Sequence, residues 1–161
     1  MKNNTLSKSL TIFTDGGSRG NPGPAAYGFV VFDAANNELS HGSQFLGIAT
    51  NNQAEYQGVL GALQYIDKST NFSDTNNTLR LSSGQANNIL NIQFYLDSEL
   101  IVKQMNGEYK IKNDDLKVIY WQIRELIMKL GGKVSFHHIP REKNKLADKL
   151  VNEELDKQCR K

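Results

Sequence analysis

Four carboxylates stand out by where they fall in the chain: Asp15, Glu55, Asp97 and Asp148. Asp15 follows the apolar, β-prone Leu10, Ile12 and Phe13, and Asp97 repeats that arrangement after Ile92–Leu96. Glu55 and Asp148 sit in the first turns of two helical patterns. Taken singly, each acid has an ordinary explanation. Asp15-Gly16 reads as a hairpin turn, and Glu55 as an acid complementing a helix N-terminus. Asp97 or Ser98 reads as an N-cap, and Asp148 as a surface acid. Their joint placement carries the chemistry. Asp15 and Asp97 end strands that the element order makes neighbours, and the two helices can pack at the same end of the sheet. Carboxylates crowded in low dielectric repel and cost stability unless a cation binds. An all-oxygen ligand set selects Mg²⁺ or Mn²⁺ over Zn²⁺. Two such ions about 4 Å apart clamp an in-line phosphodiester displacement, one activating water and the other stabilising the leaving oxygen.

The elements that must position these acids follow from periodicity. Strands are predicted at Ser9–Thr14, Ala25–Asp33 and Glu38–Leu46, the last two paired through the turn residues Ala34–Asn37. Between the first two, Asp15–Pro24 is read as a loop in which Gly16, Gly17, Gly20 and Gly23 allow positive φ or close backbone approach. No Gly-Lys-Ser/Thr follows, and a strand rather than a helix comes next, so it is neither a Walker A loop nor a dinucleotide fingerprint. Thr50 or Asn51 caps a helix with Tyr56, Val59, Leu60, Leu63 and Ile66 on its apolar face and a thin side at Gly58, Gly61 and Ala62. Residues 67–91, dominated by Ser, Thr, Asn and Gly, are predicted to be a flexible insertion with a short strand at Leu79–Ser82. A strand at Ile92–Leu96 and a short helix through Leu100, Ile101 and Met105 follow, then a basic-aromatic connector, Gly107–Asn113. Asp114 is expected to cap a helix carrying Leu116, Ile119, Tyr120, Ile123, Leu126, Ile127 and Leu130, with Trp121 packed beside it. Lys133–Ile139 is the last strand, and a basic loop then enters the terminal helix.

Composition bounds the class. A chain of 161 residues fits a single domain, 1–161, with a core of its own. Net charge is only +2, divided as five Lys/Arg against six Asp/Glu in residues 1–96 and fourteen against eleven in 97–161. Basic surface is therefore expected in the second half. A single cysteine, Cys159, excludes an internal disulfide framework and a cysteine zinc site. No apolar run reaches membrane-spanning length and Met1–Lys8 has no signal-peptide core, so a cytoplasmic protein with no membrane partner is expected.

The run Asp-Gly-Gly-Ser-Arg-Gly-Asn-Pro-Gly-Pro-Ala at 15–25 resembles the first strand-turn of type 1 ribonuclease H, and the later blocks match that family in order and spacing from about Ser7 to Glu154. The resemblance implies an α/β, ribonuclease H-like fold: a five-stranded mixed sheet, three antiparallel strands then two parallel, flanked by helices. It implies an endoribonuclease that cuts the RNA strand of RNA/DNA hybrids by a two-metal-ion mechanism, leaving 3′-hydroxyl and 5′-phosphate ends. By the resemblance Asp15 bridges both ions, Asp148 serves the nucleophile side, and Glu55 with Asp97 the leaving-group side. Gly16, Ser18, Asn21, Asn51, Asn52, Gln53 and Asn144 match substrate-groove positions, where amides and backbone groups read the 2′-hydroxyl. Lys110, Lys112 and Asn113 match phosphate contacts, which position without specifying sequence. A monomer is expected, RNA/RNA duplexes or DNA junctions stay open as further substrates, and the four intact acids argue against a purely binding module. The chain departs from the family pattern in three places. Ala26 stands where a second Gly is frequent. The loop before Asp148 offers Arg141, as in the archaeal-type subgroup, instead of a mobile His, with His138 the second choice for that role. The Trp- and Lys/Arg-rich handle helix is missing.

Overall fold

The computed structural model describes residues 8–71, 90–131 and 133–159. Five strands, β1 (Lys8–Ser18), β2 (Gly23–Phe32), β3 (Glu38–Ala49), β4 (Leu90–Leu96) and β5 (Lys133–His138), form one sheet in the order β3-β2-β1-β4-β5. The first three strands run antiparallel to one another, and β1–β4 and β4–β5 are parallel, as expected. Among the described residues there are four α-helices, α1 (Asn51–Asn71), α2 (Glu99–Met105), α3 (Asp114–Leu130) and α4 (Lys145–Cys159), and one 3₁₀ turn at Arg141–Lys143.

Strict alternation in β1 and β4 puts Leu10, Ile12, Ile92, Phe94 and Leu96 on one face of the sheet, where all are at most 1% exposed. The apolar face of α1 covers them, and α2 and α3 pack around it to complete the main core. On the other face α4 lies across β1, β2 and β3, with Val151 and Leu155 against Ala26. Ala26 is fully buried there, so its extra methyl is filling space under α4.

Several boundaries differ from expectation for identifiable reasons. β1 does not stop at Thr14. It stays paired to β2 through Ser18, with Asp15 opposite Gly28 and Ser18 opposite Ala25, and the connection shrinks to residues 19–22. Of the four glycines in this stretch only Gly20 has positive φ, at 98°. Gly16 is needed for approach instead: a Cβ there would lie 2.2 Å from the carbonyl carbon of Ala54 in α1. Thr50 is the cap of α1, in a reciprocal pair: Gln53 N–H donates to Thr50 Oγ1 at 3.1 Å and Thr50 N–H to Gln53 Oε1 at 2.8 Å. Asn113, not Asp114, caps α3, accepting from the N–H groups of Asp115 and Leu116. Trp121 is 65% exposed rather than packed. Residues 67–71 continue α1 and 90–91 open β4, while 72–89, with the expected strand at Leu79–Ser82, lie outside the described residues.

Candidate active site

The four acids converge at one end of the sheet because two helices approach the β1–β2 pair closely from opposite faces. On one side α1 rests on Gly16, and at Gly58 a Cβ would stand 3.1 Å from the Asp15 carbonyl oxygen. On the other side α4 rests on Gly28, the partner of Asp15, where a Cβ would meet Leu150 Cβ at 2.8 Å. Thin contacts on both faces bring Glu55 and Asp148 up to the strand ends. The parallel register Phe13↔Tyr95 carries Asp97 alongside Asp15.

Carboxylate oxygens of Asp15, Glu55 and Asp97 all lie within 4.8 Å of one another. Asp148 lines the same cleft, half-buried, close enough to hydrogen-bond with Asp15. Burial pushes the Asp15 carboxyl up to about 7, with the Asp97 charge adding to it and the Gly16 N–H, donating at 2.9 Å, opposing it. Glu55 is raised well above the carboxylate range by burial first and then by Asp15 and Asp97. Asp97 is raised by burial, against a hydrogen bond from Asn144 and the nearby Arg141 charge. Burial first, and mutual repulsion second, thus disfavour the charged forms of these acids. Glu55 Oε2 is buried with no hydrogen-bond partner among the described residues. A set of close, oxygen-only donors with an orphaned buried carboxylate oxygen fits a hard divalent cation.

Around the acids the cleft, with a volume of about 540 Å³, is lined by Gly16, Ser18, Asn51, Asn52 and Arg141 among others. Asn51 is fixed by its neighbours: its Oδ1 accepts from Ser18 N–H at 2.8 Å and Ser18 Oγ at 3.1 Å, and its own N–H donates to Asn21 Oδ1 at 3.1 Å. Arg141 is 81% exposed at its side chain and stands 3.7 Å from Asp148. His138 is also nearby, its Nε2 at 3.3 Å from the Asp97 carbonyl oxygen. Lys110, Lys112 and Asn113 fall outside this cleft, in an adjoining trough that reaches it at Asn52.

Three expected substrate contacts also have structural duties. Gln53 and Asn113 spend their side chains on helix caps. Asn144 is only 1% exposed, so it does not face a groove. Its Nδ2 donates to the Thr14 carbonyl at 2.9 Å, its side chain favours the charged form of the Asp97 carboxyl, and its main-chain carbonyl accepts the Asp148 N–H at 3.1 Å. One buried amide thus ties together the three segments that carry Asp15, Asp97 and Asp148. Sequence reading also missed Asn152 and Ser98, which line the cleft. Asn152 was within reach, being one helical turn beyond Asp148. Ser98 turns out to be the N-cap of α2, accepting from Ile101 N–H at 3.4 Å, which leaves Asp97 free of that duty.

Comparison with known proteins decides the family. LC11-RNase H1, solved in complex with RNA/DNA hybrid, is 39% identical and superposes with a TM-score of 0.78 over 93% of this chain and 99% of that one. The chain belongs to the type 1 ribonuclease H family. RNase H1 of the archaeon Halobacterium salinarum is 35% identical with a TM-score of 0.75, over 92% of this chain and 98% of that one. A bifunctional protein of Mycobacterium tuberculosis is 36% identical over 91% of this chain, which spans only 35% of that longer protein. A family model described as reverse transcriptase-like matches residues 81–154. No described helix is long and apolar enough to cross a membrane.

Proposed function

We propose that residues 1–161 form one ribonuclease H domain that hydrolyses the RNA strand of RNA/DNA hybrids, with Asp15, Glu55, Asp97 and Asp148 as the catalytic acids. The observation that carries this reading is the approach of three carboxylates to within 4.8 Å inside a cleft walled by amides. These acids would hold two Mg²⁺ or Mn²⁺ ions, which when bound supply an activated water and a counter-charge for the leaving 3′-oxygen, giving 5′-phosphate and 3′-hydroxyl ends. The chain's own residues do the remainder. Asn51, locked by Ser18 and Asn21, and Asn52 beside it present amides to the minor groove, where a 2′-hydroxyl distinguishes RNA from DNA. Lys110 and Lys112, in the adjoining trough, neutralise backbone phosphates without reading sequence. Arg141 sets an exposed positive charge at the rim, where it assists the departure of the anionic product.

Support comes from the family and from the solved relative bound to a hybrid. The test is incubation of end-labelled RNA/DNA, RNA/RNA and DNA/DNA duplexes with Mg²⁺, Mn²⁺ or EDTA. Cleavage confined to the RNA strand of the hybrid and abolished by EDTA is expected. Cleavage of DNA/DNA, or equal cleavage in EDTA, contradicts the reading.

A further inference from the structure

The face of the sheet that carries α4 is only partly covered. Beyond the helix, side chains of β1, β4 and β5 form a row in register, Phe13↔Tyr95↔His137. The rings stack, with centroids 5.4 Å apart at 23° for Phe13–Tyr95 and 5.1 Å apart at 26° for Tyr95–His137. Side-chain hydrogen bonds fix two of them: Tyr95 O–H to Gln93 Oε1 at 3.2 Å, and Ser135 Oγ with His137 Nε2 at 2.9 Å. The His137 end of the row is open to a further ring, while the Phe13 end is met by the edge of Phe32. At one end His137 is exposed on the edge strand β5. At the other, Phe13 and Phe32, edge to face at 5.7 Å, line a cavity of about 180 Å³ whose rim is Lys143 and Lys145. This cavity shares no lining residue with the acidic cleft. Both lysines are exposed, and neither is in an ion pair among the described residues.

Ordered aromatic rings across a β-sheet, with unpaired lysines beside them, match a polyanion that also carries flat rings. A protein helix or a second copy of the chain would satisfy the rings but not the lysines. We propose that this face binds single-stranded nucleic acid, a base adding to the His137 end of the aromatic row and phosphates resting on Lys143 and Lys145. A strand protruding from, or displaced by, a hybrid held in the acidic cleft is the chemistry it fits. The proposal is independent of what the cleft itself cuts.

The test is fluorescence anisotropy of a labelled oligodeoxythymidylate with the full chain in EDTA. Wild type should bind, Tyr95→Leu/Lys143→Ala/Lys145→Ala should bind about tenfold more weakly, and excess blunt-ended RNA/DNA hybrid should not displace the oligonucleotide from wild type. A second variant, Lys143→Glu/Lys145→Glu, alters only exposed side chains and should weaken binding with an unchanged circular dichroism spectrum and unchanged KM for hybrid cleavage. Unaltered affinity in both variants, or full displacement by the hybrid, overturns the proposal. So does the absence of binding by wild type, and self-association in sedimentation would then assign the face to a second copy.

Discussion

At the scale of single residues, Asp97 shows how a local reading is settled by its neighbours. Next to a helix start it reads as a cap, but Ser98 does the capping and Asp97 points into the cluster with Asp15 and Glu55. At an effective dielectric near 20, two carboxylates about 5 Å apart repel by roughly 3 kcal/mol before water and salt reduce it. Asp97→Asn keeps the shape and removes one charge. In EDTA it should be about 1 kcal/mol more stable than wild type by thermal unfolding, and the gain should shrink in saturating Mg²⁺, which the wild type binds better. Lower stability of the variant in EDTA would show that repulsion is not what the cluster stores. Asn144 makes the opposite case. Losing its amide leaves the buried Thr14 carbonyl unpaired, so Asn144→Ala should cost roughly 1–3 kcal/mol. It should also diminish the rise in melting temperature on adding Mg²⁺, since Asp15, Asp97 and Asp148 lose their common tie. A variant with unchanged stability and an unchanged Mg²⁺ response would put Asn144 outside the site.

At the scale of elements, much was legible in the sequence. Strand alternation, the helical repeat of Tyr56, Val59, Leu63 and Ile66, and the Asn-rich turn at 34–37 each encode local geometry in residue type, and each element formed where those signals lie. What misled was glycine at 16 and 17. Glycine signals both a turn and a close approach, and only the partner element tells which, because the partner is remote in sequence. Asn113, Gln53 and Asn144 carry the same ambiguity: an amide that caps a helix or braces a strand looks the same in sequence as one that faces a ligand. The packing reading of Gly16 has a direct consequence. Gly16→Ala forces a methyl against the α1 backbone at Ala54, so it should destabilise by roughly 3 kcal/mol. It should also separate Glu55 from Asp15, lowering cleavage in the molecules that remain folded. Wild-type stability by denaturant titration would mean that α1 does not rest on that glycine.

At the scale of the whole molecule, the sheet order β3-β2-β1-β4-β5 places β1 and β4 side by side at its centre, and α1 and α4 on opposite faces reach the same end. Four acids spread over 134 residues of chain, from 15 to 148, meet only through this topology. The topology was legible because the order of strand and helix patterns, together with the family resemblance, specified it. The extent of the basic trough was not, because Lys110 and Lys112 lie in a connector whose path is set by packing, not by its own residues. The central claim is that the acidic cluster performs RNA-strand hydrolysis while separate residues hold the hybrid. Asp15→Asn separates these functions. The decisive measurement is cleavage of a labelled RNA/DNA hybrid by wild type and Asp15→Asn in Mg²⁺, with hybrid affinity measured on the same preparations. The expected result is loss of cleavage with affinity retained; cleavage near the wild-type rate in Asp15→Asn would contradict it.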